Sequence, residues 1–280
     1  MNSITEQRAA HTSIKPFIRW AGGKQSLIGE IYTHVPDNVS GTLFEPFLGG
    51  GSFFLNGNFG FAYLSDLNAN LINCYNQIKA NPSEISARLN SFRIPVSPDL
   101  YYKIRIKFNK HTGEESIDQA VRFIFLNKTS FNGIFRVNQS GEYNVPFGKP
   151  KPAFPTLEHL TLTSQKLQQA ALSFGHYNEN KDKVSKGDFI YLDPPYPRLS
   201  DTSYFNHYTL DKFDNLEQEK LASYASEMSR KGARILISNA DLDVIRDLYN
   251  NWNIAECSTY RSVSCKSVKI KVKELIIKNY

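Results

Sequence analysis

Two periods of apolar residues alternate along the chain. In "NANLINCYNQIKANP" (68–82), Leu71, Tyr75 and Ile78 share one face at helical spacing, and Pro82 is the stop. Leu221, Tyr224, Ala225 and Met228 repeat that spacing ahead of a capping Gly232. "DLDVIRDLYNN" (241–251) reads as a capped helix with Val244, Ile245, Leu248 and Tyr249 inward. Between such segments lie short apolar runs ended by an acid, a glycine or an asparagine. "GTLFE" opens a strand, glycine turn and helix start over 41–54, and "AYLSD" (62–66) is a second strand. "ALSFGHY" (171–177) and "GDFIYLD" (187–193) read as buried strands, and "ARILISN" (233–239) as another. "WNIAECSTY" and "VKIKVKELIIKN" can close the sheet as an antiparallel pair. Its lysines, with Lys266 before them (Lys266, Lys269, Lys271, Lys273), read as a solvated strand face.

The rhythm breaks after Asn81. Ile117, Ala120, Val121, Ile124 and Phe125 have helical spacing. "NKTSFNGIFRVNQSGEYNVPFGKPKP" (127–152), rich in Asn, Gly and Pro, reads as loop and hairpin. "KIRIKFN" (103–109) alternates like a strand while its flanks look helical, and the pattern leaves both open. The expected architecture is α/β: a sheet domain split into residues 15–81 and 160–280, a mostly helical insertion at 82–159, and a loose arm at 1–14.

Composition narrows the class. The 280 residues are 41% hydrophobic, enough for a full core. Lys and Arg number 33 against 27 Asp and Glu, a net charge of +6 that favours a polyanionic partner. Cys74, Cys257 and Cys265 match no zinc spacing and read as reduced thiols of a cytoplasmic protein. No apolar run is long enough to span a membrane, and "MNSITEQRAAHTS" lacks the apolar core of a signal peptide.

In "EPFLGGGSFF", Gly49 and Gly51 fall between a strand and a helix, where a ligand can approach backbone and the helix N-terminus lends positive charge. A dinucleotide fingerprint wants a further glycine at 54. The residue is Phe54, which argues against a nicotinamide oxidoreductase. Asp66, ending the next strand, suits a ribose diol. A glycine turn with a ribose acid but no full phosphate fingerprint fits a nucleoside cofactor such as S-adenosylmethionine. In "IRWAGGKQSL", Lys24 is placed to pair with the carboxylate of a methionine moiety, or else is an ordinary solvated charge.

"YLDPPYP" (191–197) sets an acid before two prolines and an aromatic after them. The exocyclic amine of adenine is a poor nucleophile, because its lone pair is delocalised. Two acceptors on its hydrogens favour tetrahedral geometry and stabilise the developing charge. Asp193 can supply one and the Pro194 carbonyl the other, with Pro194 and Pro195 fixing the backbone. Tyr196 can stack on the base. No metal is required. The base must leave its duplex to reach such a pocket.

From about Pro16 to Tyr280 the sequence resembles the Dam-type, D12 class, N6-adenine DNA methyltransferases of the α arrangement, including those that accompany restriction enzymes at GATC. The motifs are "FIRWAGGK", "EPFLGGGS", "NGIFRVNQSGEYNVPFGK", "DPPYPRLSDTSYFNHY", "ISN" and "VKELIIKNY", in that order. The resemblance implies a Rossmann-like S-adenosylmethionine-dependent methyltransferase sheet with a DNA-recognition insert. It implies methyl transfer to adenine N6 in double-stranded DNA, at GATC, and a restriction endonuclease acting on the same site without binding this chain. It places Trp20, Lys24, Phe47, Gly49, Gly51, Asp66, His176, Tyr177 and Asp193 at the cofactor, His176 standing where relatives carry an acidic or polar residue. Phe131, Asn132, Ile134 and Arg136 resemble the hairpin that reads the site, and Arg19 a flank contact. Arg136 either reads guanine or holds a phosphate. "SDTSYFNHY", with Phe205 and Tyr208, resembles a loop that closes near the target base. Methylation of RNA adenine and a non-catalytic DNA-binding protein are the other readings. Arg136 and the basic charge speak against the first, and the intact Asp193 to Tyr196 run against the second.

Overall fold

The computed structural model describes residues 13–197, 213–262 and 269–280. The "SDTSYFNHY" loop, Cys265, Lys266 and most of the N-terminal arm lie outside the described residues. In chain order the elements begin α1 (Ile28–Thr33), β1 (Leu43–Glu45), α2 (Ser52–Asn56), β2 (Ala62–Asp66) and α3 (Ala69–Ala80). Four helices follow: α4 (Pro82–Asn90), α5 (Pro98–Lys110), α6 (Ile117–Thr129) and α7 (Leu157–Leu167). The chain then runs through β3 (Ala170–Phe174), β4 (Phe189–Leu192), α8 (Asn215–Arg230), β5 (Arg234–Ala240), α9 (Asp243–Leu248), β6 (Asn253–Ser262) and β7 (Lys269–Lys278).

One sheet has the order β3-β2-β1-β4-β5-β7-β6. The first five strands are parallel, and β7 runs antiparallel between β5 and β6. Strand order reverses between β1 and β4. Their register pairs Phe44 with Ile190, so Glu45 stands at the level of Tyr191 and Asp193 follows two residues on, beyond the carboxyl edge. Ligands of open parallel sheets bind in the crevice at such a switch point. The period-2 alternation of the strands separates two apolar layers. Phe189, Tyr191 and Leu236 face α2, α3 and α6, while Ile190, Leu192, Ile235 and Ile237 face α8 and α9. The first layer continues past Pro82 into Ile85, Tyr101, Ile124 and Phe125, so the segment after α3 shares its core with the sheet.

Caps explain most helix starts. Asn68, Ser97, Ser116, Thr156 and Asp214 each accept a hydrogen bond from the N–H three residues on. Pro82 ends α3 and also opens α4 at its first turn. Gly232 (φ +92°) ends α8, its N–H donating to Ser229 and that of Ala233 to Met228.

Two expectations change and one left open is settled. "KIRIKFN" is helical: Tyr101, Ile104 and Phe108 are buried on one face, and Ile106, which made the alternation, is 67% exposed. "ALSFGHY" is not a buried strand, because β3 is the sheet edge and Phe174 is 57% exposed. An apolar run alone does not distinguish centre from edge. In α9, Ile245 is buried, with Tyr249 just beyond it. Val244 and Leu248 are half-buried, and the N-cap position is Leu242, which offers no side-chain cap. Lys273 stands exposed and pairs with Glu256 (2.9 Å). Cys74 and Cys257 are buried free thiols. No helix among the described residues is long and apolar enough to cross a membrane.

Candidate active site

The glycine turn after β1 depends on left-handed backbone. Gly49 (φ +47°) lies so close to Trp20 that a Cβ would sit 2.7 Å from the indole Cδ1. Gly51 (φ +70°) would meet the Tyr75 hydroxyl oxygen at 2.7 Å. The turn is clasped from two sides. The Tyr75 hydroxyl donates to the Gly49 carbonyl (3.1 Å), and the Gly49 N–H donates to Asp66 Oδ2 (2.9 Å). Asp66 Oδ1 accepts from the Asn68 N–H (2.9 Å). Burial pushes the Asp66 pKa up to about 6, against the opposing pull of those two N–H groups. Each carboxylate oxygen has a second lone pair, so acceptors remain for a diol.

Glu45, at the end of β1, is 2% exposed and accepts from the Phe54 N–H (3.0 Å) in the first turn of α2. Burial pushes its pKa well up. The Phe54 N–H opposes this, and the nearby Asp193 adds to it. Sequence reasoning missed this acid, although it stands in the same "EPFLGGGS" motif.

The loop after β4 holds the second acid. Lys24 is 4% exposed, and its Nζ lies 2.6 Å from Asp193 Oδ1. The same ammonium donates to the Gly22 carbonyl (2.8 Å) and sits 4.8 Å from the centre of the Tyr196 ring. It is therefore an interior cation matched to an anion, not a solvated charge. The Tyr196 hydroxyl donates to Glu274 Oε2 on β7 (2.8 Å). Burial, then Asp193 and Glu274, push that phenol well above its usual range. The Pro195 carbonyl accepts from Gln218 Nε2 of α8 (3.0 Å), and Gln218 Oε1 in turn accepts from Asn239 Nδ2 of β5 (3.0 Å). Pro194 is buried. Asn239 and Glu274 lie in motifs legible as "ISN" and "VKELIIKNY", whereas Gln218 gave no signal in its polar helix.

An aromatic wall flanks the turn. Phe47 lies 5.6 Å from Tyr177 between ring centres, and His176 4.1 Å from Tyr177. His176 is half-exposed, with Nδ1 3.1 Å from Asn178 Oδ1 and Nε2 3.9 Å from Glu217 Oε2. Trp20 packs against Gly49 and is stacked on Phe135 at 5.7 Å.

The hairpin candidates form a second group. Asn132 is the one non-glycine with positive φ among the described residues (+56°), and it is exposed beside the exposed Phe131. Ile134 is half-buried against the core. Arg136 donates through Nε to Asn144 Oδ1 (2.8 Å). Asn127, buried at the end of α6, was missed from sequence. Its amide accepts from the Arg19 N–H (2.9 Å) and donates to the carbonyls of Arg19 (2.8 Å) and Gly133 (3.0 Å). Arg19 itself is exposed and packs on Gly133, where a Cβ would lie 2.6 Å from Arg19 Cδ. Close by, burial and then the charges of Arg19 and Lys149 push the Lys128 pKa down to about 8. The structure thus brings Arg19 to the hairpin, and Lys24 to Asp193 and Tyr196.

A family profile described as D12 class N6 adenine-specific DNA methyltransferase matches residues 20–263. The chain belongs to this family. Three relatives are similar over nearly their whole length. A type II methyltransferase of Methanocaldococcus jannaschii, M.MjaIII, is 34% identical, with 95% of this chain and 99% of that one covered. M1.LlaDCHI of Lactococcus lactis subsp. cremoris, also a type II methyltransferase, is 31% identical over 96% of each chain. The DNA adenine methylase of Escherichia coli (strain K12) is 35% identical over 94% of each. This D12 class chain is an adenine-specific DNA methyltransferase with a Rossmann-like methyltransferase sheet.

Proposed function

We propose that the chain methylates N6 of adenine in double-stranded DNA at GATC, from S-adenosylmethionine, with the adenine flipped from its duplex and attacking directly in line. One observation carries the reading: the Lys24, Asp193 and Tyr196 cluster opens at the sheet's switch point beside a glycine turn that no side chain can enter. The residues fit the cofactor. Asp66 keeps lone pairs for a ribose diol, Gly49 and Gly51 allow the left-handed turn that packs against Trp20 and Tyr75, and Phe47, Tyr177 and His176 wall an adenine site. Trp20 backs the turn, and Lys24 balances negative charge between Asp193 and a methionine carboxylate. When bound, the cofactor supplies a methyl group activated on a sulfonium.

The chain's own groups do the rest. Asp193 accepts a hydrogen bond from one N–H of the target amine and the Pro194 carbonyl from the other, so the nitrogen lone pair turns out of conjugation. Tyr196 stacks on the base and excludes water. Residues 82–159 act as the recognition segment, with Phe131 filling the space of the departed base and Asn132, Ile134, Arg136 and Arg19 at the site. The motif resemblance supports GATC. The names of two relatives as type II methyltransferases support a restriction endonuclease that acts on the same site, and a cytoplasmic setting suits that role.

The test is DNA from an expressing host, digested with nucleases that differ in sensitivity to adenine methylation at GATC, with Asp193→Ala as the blank. Protection that the blank lacks is expected. Complete sensitivity, with N6-methyladenine still found by nucleoside mass spectrometry, removes GATC and leaves the chemistry.

A further inference from the structure

A carboxylate inside a protein is costly unless it is paired. Glu274 is 3% exposed on β7, and the next three residues, Leu275, Ile276 and Ile277, are buried and apolar. It stands opposite Ala240 of β5 and Cys257 of β6. Strand stability asks for no acid there, since an apolar side chain would pack without the cost of desolvation.

Among its partners, the Tyr196 hydroxyl stands out. A phenol held well above its usual pKa stays protonated, so it donates and Glu274 accepts. The same ring has the Lys24 ammonium 4.8 Å from its centre, and that ammonium pairs with Asp193. The backbone one residue earlier is tied to Gln218 through the Pro195 carbonyl. Tyr196 is therefore held at its hydroxyl, at its ring and through its neighbour's backbone. Of these three ties, the Glu274 bond is the one that holds the far, hydroxyl end of the ring. A ring whose position decides where a base can lie gains from such restraint, because small displacements at a reacting centre cost large factors in rate.

We infer that Glu274 is a positioning residue for methyl transfer. Through the Tyr196 hydroxyl it fixes the ring that lies against the target base. The inference rests on the reading of Asp193 to Tyr196 as the target-base site. Because Glu274 meets Tyr196 rather than the glycine turn, its loss acts on turnover more than on cofactor affinity.

The experiment is a double-variant cycle read in single-turnover methylation of adenine, with cofactor KM and Tm for every variant. Glu274→Leu is expected to slow turnover about ten- to hundredfold while cofactor KM moves less than about threefold. Tyr196→Phe, which keeps the ring and removes the hydroxyl, is expected to lose a similar factor. Glu274→Gln still offers an acceptor oxygen and restores most of the rate. The Tyr196→Phe/Glu274→Leu pair falls no further than the worse single change, since both remove one bond. If the two losses multiply, the inference is overturned and the reading of the loop stands. If Glu274→Leu does not fold, Tyr196→Phe at the wild-type rate overturns it equally. A wild-type chain that transfers no methyl to adenine overturns the reading and the inference together.

Discussion

Asp66 is asked to do two things with one carboxyl. It accepts the N–H groups of Gly49 and Asn68, which shape the turn, and it is proposed to accept a ribose diol as well. Its pKa of about 6, against an ordinary 3.8, means that the folded carboxyl keeps its proton to higher pH than the unfolded one. Its contribution to stability is therefore full below about pH 4 and lost as pH rises through about 6. Ligand binding runs the other way, because the carboxylate is the better acceptor. Affinity for S-adenosylhomocysteine is expected to strengthen as pH rises from 5 to 7, and Asp66→Ala to weaken it by about 1–3 kcal/mol and flatten that dependence. Calorimetry across this range checks both. A pH-independent affinity in the wild type, or an unchanged one in the variant, takes Asp66 out of the site. The identity of this acid was legible because it ends an apolar run after a glycine turn. The pairing of Lys24 with Asp193 was not, since the two residues meet only when β4 returns beside β1. Nor was the burial of Glu45 and Glu274, which tertiary packing alone decides.

At the scale of elements, the end of α6 acts as a clamp. The Asn127 amide pairs with both peptide groups of Arg19, as a neighbouring strand would, and spends its remaining N–H on Gly133. Trp20, one residue on, lies between Gly49 of the cofactor turn and Phe135 of the hairpin. Asn127→Ala is expected to lower stability by about 1–3 kcal/mol, because buried peptide groups lose their partners. It is also expected to weaken DNA binding more than S-adenosylhomocysteine binding, since the hairpin is freed while Asp66 and Tyr75 still hold the glycine turn. Urea denaturation and paired titrations measure this. Equal losses for both ligands would show that the clamp serves general folding. Most elements near this clamp were readable: the α6 spacing from Ile117 to Phe125, and the Asn–Gly-rich hairpin after it. Asn127 was not, because a polar residue at a helix end looks like any other until its partners are known. The alternation at Ile104, Ile106 and Phe108 left strand and helix open for a related reason, as three apolar residues suit a strand face or a helix with one exposed.

At the scale of the whole molecule, the proposed specificity needs the sheet to fix a pocket and the segment after Pro82 to act as a reader, and the core that the two share would hold them in register. The order of motifs in the chain, glycine turn, insert and Asp193 loop, is what this proposed division rests on. How the reader is stiffened was hidden. Arg136 is tied to Asn144 across the hairpin, which limits where its guanidinium can reach. An arginine so held suits a bidentate contact to guanine, which gives roughly 1–3 kcal/mol of discrimination against a wrong base. Arg136→Ala is then expected to slow methylation of GATC far more than of sites altered at one base pair, so that the preference collapses. Asn144→Ala, which leaves the arginine but frees it, is expected to lose part of the same preference. A phosphate contact behaves differently. Its loss weakens every sequence alike and reduces the salt dependence by about one charge. Single-turnover methylation of GATC and of each single-pair variant, at two salt concentrations, separates the two. A uniform fall across substrates assigns Arg136 to the backbone and moves specificity to Asn132 and Arg19, which the Asn127 clamp holds against the same turn.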